Sequence, residues 1–159
     1  MSKDCIKYIY FDGENDYKIA SHHTDFDFVD DRTVTFWFKC NAQSGSNQIL
    51  FKGEYQNVLH KYWGIGVEHS GLHAGKLIMS LAEGGVNYPN GIYFRSQSSL
   101  ADGKWHNAAI TYSHEASTFR MYIDGVLDNA VQVNSSSSFS SGESSLGIAV
   151  GRDEDNGYF

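Results

Sequence analysis

The sequence predicts an all-β fold, a two-sheet antiparallel sandwich, with a closed β-barrel as the alternative. Apolar side chains alternate with a period of two along most of the chain, and no segment keeps a helical period for more than a turn or two. Glycines separate the alternating runs, and Asp124-Gly125, between two such runs, predicts a β-hairpin. With 159 residues, 41% of them hydrophobic, the chain can bury one sizeable core without disulfide bonds.

Ten segments of the chain show the alternation expected of strands. In chain order they are 6–11, 33–40, 48–52, 63–67, 76–82, 92–95, 108–112, 118–123, 126–133 and 146–150. The most regular is 33–40, in which Val34, Phe36 and Phe38 are expected to face the core. The residues that alternate with them, Thr33, Thr35, Trp37 and Lys39, are expected to face the opposite side.

The charge and the lengths of the apolar segments exclude several classes of partner. The net charge is −7 at pH 7, and no run of lysines or arginines is long enough to follow a phosphate backbone, so we expect no nucleic-acid partner. No segment has the roughly 20 apolar residues of a membrane-spanning helix, and the N-terminus lacks the apolar stretch of a signal peptide. Cys5 and Cys40 are too few for a disulfide scaffold, and the sequence leaves open whether they are two thiols or one bridge.

Three motifs, taken in order, resemble a known family. The segment 102–127, DGKWHNAAITYSHEASTFRMYIDGVL, resembles the signature hairpin of laminin-G-like domains in the concanavalin A-like lectin/glucanase superfamily. The segment 11–17, FDGENDY, is similar to the opening turn of that family, and 33–39, TVTFWFK, is similar to its first long core strand. The resemblance implies a jelly-roll sandwich of two antiparallel sheets with one concave face, formed by residues 1–159 as a single domain.

The resemblance also implies a final strand that the sequence does not contain. After a segment like 151–159, GRDEDNGYF, domains of the family usually continue with a strand of the type Gly-x-Ile-Asp-Glu-Val that pairs beside the first strand. We therefore expect the chain to lack its last C-terminal strand. Because an unpaired sheet edge tends to pair with another chain, we expect association through an open edge beside segment 6–11.

Two tryptophans in or beside predicted strands, Trp37 and Trp105, are expected to have structural roles, since aromatic side chains of alternating strands usually fill cores. Trp105 follows the Asp102-Gly103 turn, at the point where a strand begins. We expect Trp105 to fill one end of the sandwich and to donate its indole N–H to a carbonyl group.

Two segments rich in oxygen donors are candidates for a calcium site. Ca²⁺ takes about six to eight oxygen ligands from carboxylates, amide carbonyls and the backbone. If the first and last strands are neighbours, as the resemblance implies, the opening turn and the C-terminal segment lie close together. The candidate ligands are Asp12, Asn15, Asp16, Asp153, Asp155 and Asn156. The alternative is that both segments are solvated turns whose side chains cap their own backbone.

Aromatic residues with polar neighbours, in or next to loops and short strands, are candidates for a sugar-binding site. Aromatic rings pack on the apolar C–H faces of sugars while polar side chains bond the hydroxyl groups. The candidate ligand-binding residues are Tyr62, Trp63, Tyr93 and Arg95. The alternative is that they are ordinary surface and edge aromatics of a β-sandwich.

The acidic run 25–31, DFDFVDD, contains carboxylates of the kind that glycosidases use in catalysis. Retaining glycosidases need an acid/base and a nucleophile about 5–5.5 Å apart. The enzymes of the family carry a Glu-x-Asp-x-x-Glu strand for this purpose, and the sequence contains no such string. We expect the run to be a solvated loop that packs Phe26 and Phe28 inward.

These observations predict a non-catalytic binding or adhesion module whose partner is a glycan or another extracellular or cell-surface ligand, with calcium as an assisting ion. The alternatives are a glycoside hydrolase or lyase of the same superfamily, and a structural or protein-interaction module attached to a larger protein. We expect an extracellular or cell-surface location as part of a longer protein, although this chain shows no signal peptide.

Overall fold

The computed structural model describes residues 8–27, 30–41, 47–54, 61–82, 92–132 and 145–152. They contain ten strands and two short 3₁₀ turns, Thr24–Phe26 and Gly71–His73. The strands are β1 Lys18–Ala20, β2 Arg32–Phe38, β3 Asn47–Glu54, β4 Lys61–Val67, β5 Lys76–Ala82, β6 Ile92–Ser99, β7 His106–Ser113, β8 Thr118–Ile123, β9 Val126–Gln132 and β10 Ile148–Val150. Neither helical turn in these ranges approaches the length or apolarity of a membrane-spanning helix.

The strands form two antiparallel sheets, which confirms the predicted all-β sandwich. One sheet has six strands in the order β1-β10-β3-β4-β5-β6, and the other has four in the order β2-β7-β8-β9. The two sheets meet along one side, where the Asp128 carboxylate of β9 accepts the backbone N–H of Gln97 in β6. Beside it, the Asn129 amide donates to the carbonyl oxygen of Arg95. These bonds satisfy backbone groups of β6, an edge strand among the described residues.

The core lies between the two sheets and is lined by the faces that the alternation predicts. Ile65 and Met79 of the six-stranded sheet and Ile110 and Met121 of the four-stranded sheet are fully buried. In β2, Phe38 is buried and Val34 and Phe36 are half-buried, whereas Thr33 and Thr35 are exposed. The predicted faces of this strand are therefore confirmed.

The predicted hairpin at Asp124-Gly125 is also confirmed. Strands β8 and β9 pair as antiparallel neighbours on either side of it. Asp124 and Gly125 both have positive φ, 52° and 82°, as a two-residue hairpin turn with this twist requires.

The first predicted strand is wrong in its described part, because residues 8–11 are not in a sheet. The first strand is Lys18–Ala20, which pairs with β10, Lys18 lying opposite Val150. The alternation of 6–11 indicates which side chains would share a face, but not whether a strand edge is available to pair with them. The implied neighbourhood of the first and last strands is nevertheless confirmed by the β1–β10 pair.

The two tryptophans expected to have structural roles are both partly exposed, Trp37 on the outward face that the alternation of its strand predicts. Trp37 lies on the face of β2 that points away from the core, and 66% of its surface is exposed. Trp105 precedes β7 and is 46% exposed, with its ring edge-to-face against Tyr8 at 5.7 Å between centroids. The expectation that Trp105 fills the end of the sandwich is therefore wrong, because it lies just before the strand, outside the alternation that points side chains inward.

The acidic run also differs from the expected solvated loop. Asp27 is 4% exposed and accepts a hydrogen bond from Nζ of Lys52, which is fully buried in β3. The Asp27 carbonyl oxygen accepts a bond from Nε of Arg32. A buried ammonium needs a nearby carboxylate, so one member of the run is a structural partner. Phe26 is half-buried as predicted, and Phe28 lies outside the described residues.

Candidate functional site

The outer face of the six-stranded sheet, turned away from the core, carries a candidate binding site. Residues paired across antiparallel strands point to the same face. The register therefore aligns two rows of outward side chains across β3 to β6. One row is Phe51, Gly64, Ser80 and Tyr93, and the next is Gln48, Gly66, Ile78 and Arg95.

Glycine occupies the middle of both rows, on β4. A Cβ atom at Gly64 would lie 3.1 Å from Cδ2 of Phe51, 3.3 Å from Oε1 of Gln48 and 3.4 Å from Oγ of Ser80. The side chains of Phe51, Gln48 and Ser80 therefore surround the position of Gly64, which has no side chain. Glycine inside a strand weakens it and often marks a place where another group approaches the backbone closely. Gly64 and Gly66 together keep the centre of this face low.

An ion pair closes the β6 side of the site. Nε and Nη2 of Arg95 donate to the two carboxylate oxygens of Glu68 at 2.7 and 2.9 Å, and the guanidinium lies 5.7 Å from the ring centroid of Tyr93. The hydrogen bonds to Glu68 are the main cause that raises the pKa of Arg95 above its ordinary value. The paired charges offset each other beside the aromatic ring.

One polar atom at the β3 side of the site lacks a partner. Oε1 of Gln48 is buried and accepts no hydrogen bond within the described part of the protein. Buried carbonyl oxygens are almost always bonded, so this oxygen can accept a bond from a group that approaches along the face.

Of the four sequence-predicted ligand residues, two are accessible on this face. Tyr93 is 39% exposed, and the Arg95 side chain is 30% exposed. Tyr62 also points to this face, but it is 3% exposed and stacks on Phe51 with ring centroids 5.6 Å apart.

The assignment of Trp63 as a ligand contact is wrong. Trp63 is 1% exposed, belongs to the core cluster and donates its indole N–H to the carbonyl oxygen of Phe26 at 2.8 Å. It pairs with Lys52 and Leu81 across the sheet, so it shares their inward face. The predicted strand 63–67 is short, so its sequence pattern does not show which of its two faces is buried.

Sequence reasoning missed Gln48, Gly64 and Glu68. The alternation of Gly64 and Gly66 inside an otherwise apolar strand is a signal that could have located the face. Glu68 and Gln48 have no such signal, because only the strand register brings them beside residues that are distant in sequence.

The candidate calcium ligands are only partly described. Asp12, Asn15 and Asp16 are exposed, and Oδ1 of Asp12 accepts the backbone N–H of Glu14 at 2.8 Å. Positions 153, 155 and 156 lie outside the described residues. Within the described ranges, no three His, Cys, Asp or Glu side chains are grouped so that they could hold a metal ion.

The residues that flank these two groups of candidate ligands in the sequence lie close together. A Cβ atom at Gly151 would lie 2.5 Å from the ring of Phe11, so that ring lies directly against the backbone that precedes the C-terminal segment. The guanidinium of Arg152 lies over the ring of Tyr17, 3.7 Å from its centroid. The opening turn and the start of the C-terminal segment are therefore adjacent.

Solved structures with a similar fold include a mouse laminin alpha1 fragment, domains LG4-5, at 17% identity and a TM-score of 0.57. The match covers 79% of this chain and 29% of the laminin fragment, so the chain spans less than a third of that fragment. The carbohydrate-binding module CBM40 of a Ruminococcus gnavus IT-sialidase matches at 11% identity and a TM-score of 0.56, over 87% of this chain and 78% of the module.

No curated protein sequence matches the chain. A family model of the laminin-G type, described as the concanavalin A-like lectin/glucanases superfamily, matches residues 12–159. The match covers nearly the whole chain and agrees with the two antiparallel sheets and with the adjacent first and last strands. The chain therefore belongs to the concanavalin A-like lectin/glucanases superfamily.

Proposed function

We propose that the protein is a non-catalytic carbohydrate-binding module and that its ligand lies on the outer face of the six-stranded sheet. The observation that carries the proposal is the accessible ring of Tyr93 beside a centre kept low by Gly64. An exposed aromatic ring can pack on the apolar face of a sugar while neighbouring polar groups bond its hydroxyls. Fold relatives support the ligand class, since the Ruminococcus gnavus module has been solved bound to sialyllactose.

The carboxylate described on this face, that of Glu68, favours binding over hydrolysis. Retaining hydrolysis needs two carboxylates about 5–5.5 Å apart, and the inverting mechanism needs a wider pair. Among the side chains that the structure describes on this face, Glu68 carries the carboxylate, and both of its oxygens are bonded to Arg95. Sugar release from the purified chain, measured with a reducing-end assay, would contradict the non-catalytic proposal.

The proposed binding face is tested by replacing Tyr93. We expect Tyr93→Ala to weaken glycan binding about three- to tenfold in titration calorimetry, from the loss of roughly 0.5–1.5 kcal/mol of ring packing. Tyr122→Ala is the matched control, because Tyr122 lies on the four-stranded sheet, in strand β8. Equal binding by the Tyr93 variant and the wild type would exclude this face as the site.

We also propose that calcium is held by the oxygen donors of Asp12, Asn15 and Asp16 together with Asp153, Asp155 and Asn156. Carboxylate and amide oxygens suit this hard cation, and the contact between Phe11 and Gly151 brings the two segments toward each other. After EDTA treatment, added CaCl₂ is expected to raise the thermal midpoint, and the rise should be smaller in Asp16→Asn. No rise with calcium relative to magnesium would contradict the proposal.

The proposed ligand class implies an extracellular or cell-surface location, where free and membrane-attached glycans are found. The laminin fold relative is consistent with this proposal. Labelling of the chain in its native cells with and without permeabilisation tests it, and signal only after permeabilisation would contradict it.

A further inference from the structure

We propose that the outer face of the six-stranded sheet selects uncharged sugars over acidic ones and that Oε1 of Gln48 accepts a hydroxyl group of the bound sugar. The inference rests on the proposed function and adds the chemical class of the ligand. It follows from the ion pair between Arg95 and Glu68 on the β6 side and from the oxygen of Gln48 on the β3 side, which has no partner among the described residues.

On the β6 side, the guanidinium of Arg95 is the group best suited to hold a sugar carboxylate, and it is already bonded to Glu68. A guanidinium binds a carboxylate best as a two-pronged donor. In this structure Nε and Nη2 of Arg95 both donate to Glu68, so an acidic sugar would have to displace that carboxylate or approach it. The carboxylate of Glu68 would repel a sugar carboxylate placed beside it, and the protein's net charge of −7 adds to that repulsion.

Lys76 supplies a second cation near the Arg95–Glu68 pair, but it cannot replace the two-pronged donor of arginine. Lys76 is half-buried at the start of β5, and its carbonyl oxygen accepts the backbone N–H of Glu68. An ammonium is a single charge without the planar fork of arginine. Lys76 also lies beyond Ile78, which is the residue opposite Arg95, and is therefore farther from the ring of Tyr93.

On the β3 side, the free group is an acceptor. Oε1 of Gln48 is buried, has no partner in the described part of the chain, and lies 3.3 Å from the place where Gly64 would carry a Cβ atom. Such an oxygen is completed by a donor, and the hydroxyl groups of a sugar are donors. A carboxylate cannot donate to it at neutral pH. The β3 side therefore favours a ligand rich in hydroxyl groups, and the β6 side favours an uncharged one.

The test uses a glycan array in which neutral oligosaccharides are printed beside acidic counterparts, such as lactose beside sialyllactose. We expect the wild-type chain to bind at least one neutral glycan about tenfold more tightly than its acidic counterpart. Equal or tighter binding of the acidic member would overturn the inference while leaving the proposed function in place. Binding to no glycan on the array would overturn both.

Two variants test the two ends of the site separately. Glu68→Gln removes the negative charge paired with Arg95 and one of the two oxygens that its guanidinium bonds, so we expect binding of sialyllactose to strengthen at least threefold. Its matched control is Glu115→Gln, which removes the same charge from the exposed turn between β7 and β8. Gln48→Leu should weaken binding of the neutral glycan about three- to tenfold, whereas Gln132→Leu, at the end of β9, should not.

Unchanged sialyllactose binding in a folded Glu68→Gln variant, or unchanged neutral binding in a folded Gln48→Leu variant, would overturn the corresponding part of the inference. Folding of each variant is checked by circular dichroism and thermal unfolding. If Glu68→Gln does not fold, the preference of the wild type for neutral over acidic glycans still decides the matter.

Discussion

Lys52 and Asp27 form a buried ion pair that joins the first 3₁₀ turn to strand β3. The two side chains are 0% and 5% exposed. Removing two charges from water is costly, and the loss of one partner leaves the other uncompensated in the core. The pair therefore fixes where the turn attaches to the sheet, although its net contribution to stability is smaller than the cost of breaking it.

We expect Lys52→Met to lower the free energy of unfolding by about 3–5 kcal/mol, because it leaves the carboxylate of Asp27 buried without its cation. Urea denaturation measures the change. Lys104→Met is the matched control: Lys104 is exposed and its pair with Asp102 lies at the surface, so a much smaller loss of stability is expected. Similar losses in the two variants would contradict the buried role of Lys52.

His106 is held between two aspartates at the end of the four-stranded sheet. Its Nδ1 lies 2.9 Å from Asp124 and its Nε2 lies 3.1 Å from Asp102. Because both ring nitrogens face carboxylates, the site favours the imidazolium, the form in which both nitrogens donate. The bond to Asp124 is the main cause that raises the pKa of His106, and both aspartates have lowered pKa values.

This cluster predicts a pH window of maximal stability. The raised pKa of His106 contributes stability that is present below the ordinary histidine value of 6.5 and is lost as the pH rises through the folded value. The lowered pKa values of the aspartates contribute stability that is present above their ordinary value of 3.8 and is lost in acid. The contribution is therefore greatest between these two values.

We expect the wild-type stability, measured by urea denaturation, to decline as the pH rises above 6.5 and the decline to be smaller in His106→Gln. Because His106 and its two aspartates lie at the surface, we expect only a modest change of stability with pH. His114→Gln, in the exposed turn after β7, is the matched control and should retain the slope. A slope unchanged in His106→Gln would exclude this histidine as its source.

At the scale of elements, tight turns with positive φ determine where strands reverse. The β8–β9 hairpin depends on Asp124 and Gly125, and Asp124 also accepts the backbone N–H of Asn107 in β7. The same aspartate thus shapes a turn and ties it to the neighbouring strand. This local chemistry explains why the hairpin could be predicted from the sequence.

We expect Gly125→Ala to destabilise the protein by about 1–2 kcal/mol, because a side chain at φ 82° is strained even though the added methyl would meet nothing within 4 Å. Gly125→Asn should lose less, since asparagine adopts the left-handed region more readily. Thermal unfolding gives the comparison. Equal stability of Gly125→Ala and the wild type would contradict the role of backbone strain at this turn.

At the scale of the whole molecule, the sandwich is closed by contacts between its two sequence ends. Strand β10 pairs with β1 on one side and with β3 on the other. Gly147, just before β10, allows this approach: a Cβ atom there would lie 2.1 Å from the carbonyl oxygen of Ala20. Pairing between segments so far apart in the chain carries a cost in loop-closure entropy, which the contacts of β10 must offset.

We expect Gly147→Ala to separate β1 from β10 at a cost of about 1–3 kcal/mol, because the added methyl collides with backbone. Hydrogen exchange should speed up at Lys18–Ala20 and remain slow at Ile110 and Met121 in the core. The Gly125→Ala variant is the control, as its methyl meets nothing and should leave β1 protected. Uniform acceleration across the sandwich would contradict local opening.

The sequence predicted the elements of the fold better than the site. Nine of the ten expected strands overlap observed ones, because alternation and turn chemistry are local. The failures are Trp63, Asp27 and segment 8–11, where burial or pairing depends on what lies across the sheet. For the site, Tyr93 and Arg95 could be selected as an aromatic ring beside a cation, but neither Glu68 nor Gln48 could be placed beside them.

By itself the sequence determined the sandwich class, the inward faces of its strands and the β8–β9 hairpin, because a strand's alternation and a turn's backbone angles reside in neighbouring residues. The tertiary structure alone decided that an oxygen of β3, two glycines of β4 and the ion pair of Glu68, just after β4, with Arg95 of β6 share one surface. That arrangement depends on sheet order and register, which are fixed by pairing between distant segments, where a shift of one residue would turn each side chain to the other face.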